Sequence, residues 1–347
     1  MANPPSSSDL QGFVARLLVA AGILGLVWLA WHLRALLLLV FGAILVSVIL
    51  RLVARPINRH LRVHSAIALA LAVLLVVAVI GMVFWFFGSE ITSQARLLDQ
   101  TLPDAWQNLQ RRLEAAGWGE PFRRWLEEVR SGAVANIGRL ALAAGNGVVT
   151  TILVIVGGIY LAAQPGLYRD GLIKLVPARG RSLADQAVGD AGAALGLWLK
   201  GRLVSMAIVG ILTATGLYII GVPSWLALGL LSGLLEFIPF LGPFISAIPS
   251  VLLAFAASPQ SAAWTIALYL AVQQIEGNLV EPIVQQRAVK IPPLILIFSL
   301  VAAGLVFGLP GVILGAPLTV VLYVLVKRLY VREALGTETP LPTDPKP

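Results

Sequence analysis

The chain has 347 residues, of which 58% are hydrophobic and only 12% charged, a composition that excludes an ordinary soluble domain and indicates a polytopic helical membrane protein. Its formal net charge of +8 reads as basic cytoplasmic loops, and nucleic acid is not an expected partner. With no cysteine, disulfides, thiolate chemistry and cysteine-based metal sites are excluded.

In chain order, Met1 to Asp9 has neither a basic region nor a cleavage site, so a cleaved signal peptide is not expected. Apolar runs at 12–31, 35–50 and 65–88 are each long enough to span a bilayer, so residues 1–88 read as three transmembrane helices. Arg51, Arg55, Arg59 and Arg62, with no acidic residue among them, mark a cytoplasmic loop between the second and third runs and place the N-terminus inside. His60 and His64 stand four residues apart there, but no third ligand accompanies them and no metal is expected. Residues 89–145 are amphipathic, with seven arginines against seven acidic residues, and parity makes them an extracytoplasmic helical segment.

A crossing at 146–163 returns the chain to a second basic cytoplasmic stretch, in which 181–200 reads as an interfacial helix. The transport region, 203–332, then consists of two units, each a crossing helix (203–221, then 262–279) followed by a broken helical hairpin. In the first hairpin, Ser224 to Ala257 is apolar and interrupted by Glu236-Phe-Ile-Pro-Phe-Leu-Gly-Pro243. Its arms have about 14 residues where a crossing needs roughly 20, which indicates a re-entrant hairpin. Pro239 and Pro243 stop the helix, and Gly242 permits unusual backbone angles between them. The second, Ile291 to Val326, breaks at Gly308-Leu-Pro310-Gly311. The tail 333–347, rich in Pro and Thr, is expected to be disordered and cytoplasmic.

Glu236, Glu276 and Glu281 are the acidic residues of this apolar half, and a carboxylate at membrane depth is a functional candidate by default. Desolvation disfavours the charged form of Glu236 unless a cation or dense hydrogen bonding compensates, so it is the expected titrating group. Gln274 and Asn278 share a helix face at i,i+4, and together with Glu276 offer amides and a carboxylate to a polar solute or a cation. The same groups would equally serve as a polar cluster between helices. The glycine pairs 229/233, 304/308 and 311/315 read as close helix-packing positions. No nucleophile elbow or phosphate-binding loop occurs, so an enzyme is not expected and no cofactor is implied.

These motifs, from Gly221-Val-Pro-Ser-Trp225 through Glu236 to Pro243, Gln274 to Asn278, Pro282, Pro292, Gly308 to Gly311 and Gly315-Ala-Pro317, resemble the autoinducer-2 exporter family of bacterial membrane proteins. The resemblance implies a multi-pass inner-membrane permease with cytoplasmic termini, a homo-oligomer with a pentamer as candidate, that exports a small polar solute by an elevator-like motion. The candidate path is then Glu236, Pro239, Gly242, Pro243, Gln274, Glu276, Asn278, Gly308, Pro310 and Gly311. A cation/proton antiporter is the alternative, and a membrane scaffold that transports nothing is a second. Arg202, where the family pattern has Gln, and Gln285-Gln-Arg287, where it has Gly, depart from the resemblance.

Overall fold

A computed structural model describes residues 28–79, 149–280 and 291–341, with positions 17, 21, 22, 24, 25, 81, 82 and 344 beside them. The segment expected to be extracytoplasmic, Glu281 and the Gln285 to Arg287 departure all lie outside the described residues.

Helix α1 (Arg34–Leu61) does not stop where its hydropathy falls. Arg51, Arg55 and Arg59, expected in a loop, lie on its second half, which ends at Arg62 in the left-handed conformation. The physical reason is that Arg, Leu and Ala are good helix formers, so the edge of an apolar run is not the end of a helix. Three non-helical residues, Arg62 to His64, separate α1 from α2 (Ser65–Val79).

Helix α3 (Val149–Ala163) meets α4 (Pro165–Lys174) at 91°. Pro165 denies the helical conformation to Gln164, whose φ and ψ are −131° and 59°. An ion pair of 2.8 Å from Arg169 to Asp185 ties α4 to α5.

Helix α5 (Arg181–Ile220) is one piece of 40 residues, about 60 Å long. The expected division into an interfacial helix and a crossing is therefore corrected, since the chain runs through Lys200, Gly201 and Arg202 without a break. Gly221, at φ 80°, ends it by donating to the Leu217 and Tyr218 carbonyls.

The first hairpin comprises α6 (Trp225–Leu235) and α7 (Leu241–Ala257), both shorter than a crossing. Ser258 then caps α8 (Pro259–Ile275), its hydroxyl accepting from the Ser261 amide at 3.0 Å. Helix α8 runs on as a wider turn over Glu276–Val280. The second hairpin comprises α9 (Pro293–Phe307) and α10 (Leu309–Val326). Its second arm is longer than expected, because the helix continues to Ala334 and is then long enough to span.

Among the described residues three helices, Arg34–Leu61, Ala178–Ile220 and Leu309–Ala334, are long and apolar enough to cross a membrane, and the α3–α4 pair would be a fourth only if its two bent halves are counted as one span. Large apolar side chains such as Ile219, Phe244, Leu270, Phe298 and Leu305 face outward, which suits lipid rather than water. The main core joins α1, α5, α9 and α10 through Leu45, Leu195, Leu199, Leu300, Val320 and Val324. Leu341 is buried in the same cluster, and Arg332 donates to Asp344 at 2.9 Å. Within the tail, Leu341 thus has an apolar contact and Asp344 an ion pair.

Candidate functional site

The site is built by the approach of α6 to α5. A Cβ on Gly229 would lie 2.4 Å from that of Ala214, and one on Gly233 would lie 2.7 Å from the Met206 carbonyl oxygen, so only glycine allows this spacing. That contact runs down α5 and delivers the end of α6 to Arg202. Phe237 meets Trp198 edge to face at 6.0 Å and closes the apolar side of the tip.

At the tip, Arg202 joins two carboxylates from different elements. Its guanidinium lies 3.0 Å from Glu236 and 3.6 Å from Glu276, and the three side chains are only 11, 3 and 12% exposed. Glu236 is therefore not a solitary acid at the end of an apolar hairpin. The compensating cation that its burial requires is supplied by the residue that departs from the family pattern. The guanidinium Nε has no hydrogen-bond partner among the described residues.

The tips themselves are crowded. Gly242 keeps a negative φ, and the unusual angle falls instead on Phe240 at φ 65°. What Gly242 provides is contact, because a Cβ there would stand 2.0 Å from the Leu235 carbonyl oxygen. Pro243 is buried and its carbonyl accepts from Ser246 at 3.1 Å, while the Pro239 carbonyl accepts from the Leu241 amide at 2.8 Å. The second tip repeats the arrangement: a Cβ on Gly311 would stand 2.0 Å from the Ala303 carbonyl oxygen. Here the special angle belongs to Gly308, at φ 68° and ψ −148°, a region essentially confined to glycine. Pro310 occupies the first turn of α10, where a missing N–H costs nothing.

The polar face after α8 divides. Glu276 turns inward to Arg202, whereas Gln274 and Asn278 are exposed and bond to each other at 3.0 Å. Gln274 and Asn278 thus keep one side of the turn, and Glu276 lies on the other.

A second buried polar cluster escaped the sequence reading. The Tyr269 hydroxyl on α8 lies 2.7 Å from Ser232 Oγ on α6 and 2.7 Å from Ser250 Oγ on α7, and donates to the Ser246 carbonyl at 3.1 Å. Its signal was present in the sequence, because Ser232, Ser246, Ser250 and Tyr269 are hydroxyl groups inside apolar arms, and 246 and 250 are four apart. Near the end of α10, Arg328 lies 3.6 Å from buried Asp190 and donates to Gln186. Among the described residues no three His, Asp or Glu side chains cluster as a metal site; His60 directs Nδ1 to the Pro56 carbonyl, and His64 Nδ1 accepts from the Ala66 amide.

The chain is similar to several bacterial membrane proteins. The chain is 31% identical to the transport protein YrrI of Bacillus subtilis over 166 residues, 48% of this chain and 47% of that one. It is 31% identical to YueF of the same organism over 195 residues, 55% and 52% of the two chains, and 29% identical to the permease PerM of Escherichia coli K12 over 150 residues, 42% of each. The chain spans about half the length of the curated relatives it matches. A match to the AI-2E family transporter profile runs over residues 17–330 and so takes in both hairpins, Arg202 and the acidic pair; the chain belongs to that family of membrane transporters.

Proposed function

We propose that this protein is a secondary-active carrier for a small polar solute, with its coupling centre at Arg202, Glu236 and Glu276. The observation that supports this is the buried triad linking a hairpin tip, a long helix and the turn after α8. Two carboxylates on one guanidinium carry a net charge of −1 when all are ionised. A bound proton or monovalent cation completes that balance, which is the property a coupled carrier needs. Gln274 and Asn278, exposed beside Glu276, offer amides to the solute. An autoinducer-2-like metabolite exported by movement of the hairpins is the reading that the family resemblance favours. The charge imbalance also supports a second reading, cation/proton antiport, in which the triad alone binds the transported ions.

Proteoliposomes loaded with a panel of polar solutes, under imposed proton or sodium gradients, test this. Gradient-driven flux is expected in the wild type, with a pH dependence that Glu236→Gln flattens. Proton movement on adding sodium without solute selects the antiporter, and no flux under any gradient leaves a scaffold.

The orientation proposed is cytoplasmic for both termini and for the basic end of α1. A cysteine in place of His60 should resist an impermeant maleimide in intact cells, and one in place of Asn108 should react; the reverse pattern overturns the orientation.

A further inference from the structure

A cavity of about 910 Å³ lies away from the triad, between α1, α2 and α3. Leu69, Val73, Leu74 and Ile159 give it apolar walls, and Arg51 and Arg55 form a basic edge. These two arginines stand at i,i+4, where like charges on one helix repel each other. No acidic residue lines the cavity, and among the described residues neither arginine makes an ion pair.

The bend between α3 and α4 gives its depth. Pro165 lines the cavity and is also where the chain turns through 91°. If α3 crosses the bilayer, α4 runs along its surface, with exposed Leu167 and Leu172 available to the interface. The level of Pro165 is then that of the headgroups. Ile159, six residues earlier on α3, lies about 9 Å deeper, among acyl chains.

Gly42 meets Val154 and Gly158 meets Val46, so α1 and α3 run parallel and Arg51 and Arg55 stand near the level of Pro165. A basic edge at that depth beside an apolar groove is complementary to one kind of molecule. We infer that this groove binds an anionic phospholipid of the cytoplasmic leaflet, its phosphate held by Arg51 and Arg55 and its chains lying against Leu69, Val73, Leu74 and Ile159. The volume falls within the range of sites that enclose a single organic ligand. Guanidinium groups suit the phosphate because each offers paired donors to its oxygens.

The test is spin-label electron paramagnetic resonance on the full chain in phosphatidylcholine bilayers, comparing motionally restricted phosphatidylglycerol with restricted phosphatidylcholine. The wild type should prefer phosphatidylglycerol, and R51Q/R55Q should lower that preference roughly thirtyfold, from two surface charges of ordinary strength. R51K/R55K keeps both charges and should retain most of the preference. Val73→Trp fills the groove while leaving both arginines in place, so it should reduce the restricted phosphatidylglycerol even if R51Q/R55Q does not fold. Undiminished preference in R51Q/R55Q or in Val73→Trp overturns the inference. Displacement of the labelled lipid by millimolar inorganic phosphate also overturns it, because the site would then serve a free anion.

Discussion

Arg202→Gln is the perturbation that most directly probes the triad. At an effective dielectric constant of ~20, contacts of 3.0 and 3.6 Å each carry about 5 kcal/mol of attraction before desolvation is counted. Burial offsets much of that gain in the intact triad, so its net worth is far smaller than the sum. Removing the guanidinium is a different matter, because it takes the shared cation away from two buried carboxylates and costs about 3–5 kcal/mol. Removing Glu236 as well takes away one of the two carboxylates that the cation served. The double variant Arg202→Gln/Glu236→Gln is therefore expected to be more stable than Arg202→Gln alone, with a coupling energy of about 2 kcal/mol. The assay is unfolding of the purified protein by increasing SDS in mixed micelles, on the wild type, both single variants and the double. Effects that add to within about 0.5 kcal/mol would refute an energetically coupled triad.

Gly242→Ala and Gly311→Ala should each cost about 1–3 kcal/mol and abolish flux while insertion persists, because the new Cβ meets a carbonyl oxygen. Gly277→Ala, where nothing lies within 4 Å, is the tolerated control for the same assays. Tyr269→Phe removes the shared hydroxyl from between α6, α7 and α8 and should destabilise by about 1–2 kcal/mol in the SDS titration. The tail should be docked at neutral pH and released in acid. The Arg332 hydrogen bond, with help from the Leu341 amide, holds the Asp344 carboxyl below its ordinary value. A depressed folded-state value stabilises docking above the unfolded value of about 3.9, and that contribution is lost as pH falls through the folded one. A cysteine at Leu341 should accordingly label slowly at neutral pH in the wild type and fast in Asp344→Asn. Equal labelling rates would show that the ion pair does not hold the tail.

Where the sequence was informative, it was through signals that local chemistry decides. The break at Gly308 and the interruption from Glu236 to Phe240 follow from Pro and Gly placed inside apolar runs, and the helices stop there in the structure. The small-residue spacing of Gly229 and Gly233 likewise became a close approach to α5. Hydropathy was a poor guide to helix ends, because a charged residue can stay helical if solvent or a partner receives its charge. Arg51 and Arg55 continue α1, and Arg202 continues α5 because carboxylates from two other elements meet it. Those partners are 34 and 74 residues away along the chain, beyond any spacing rule. Glu236 and Glu276 were legible as costly acids, but their common counter-ion required the antiparallel approach of α6 to be known first. The contacts of Leu341 and Asp344 were not legible for a related reason, since Pro and Thr content carries no information about one leucine finding a core or one aspartate finding Arg332.

The two polar clusters together constrain how the transport region could move. Tyr269, Ser232 and Ser250 have three hydroxyl protons, yet they engage in five contacts: two Ser–Tyr contacts, two serine bonds to backbone carbonyls and the Tyr269 bond to Ser246. Protons must be shared, so the network is stable only while α6, α7 and α8 stay together. Glu276, at the end of α8, reaches the same guanidinium as Glu236 at the tip after α6. Both ends of the contact between the first hairpin and α8 are thus fastened by buried polar groups, and shearing them apart would leave several groups unsatisfied at once. By contrast, the second hairpin packs on α1 and the first half of α5 mainly through apolar Leu45, Leu195, Leu300 and Val320, with the contacts of Arg328 to Asp190 and Gln186 as a polar attachment beyond the end of α10. Apolar contacts can slide at lower cost than a shared proton network can be broken. The boundary at which the region yields is therefore expected between the two hairpins, with the first hairpin, α8 and the half of α5 that packs on Gly229 and Gly233 moving as one body.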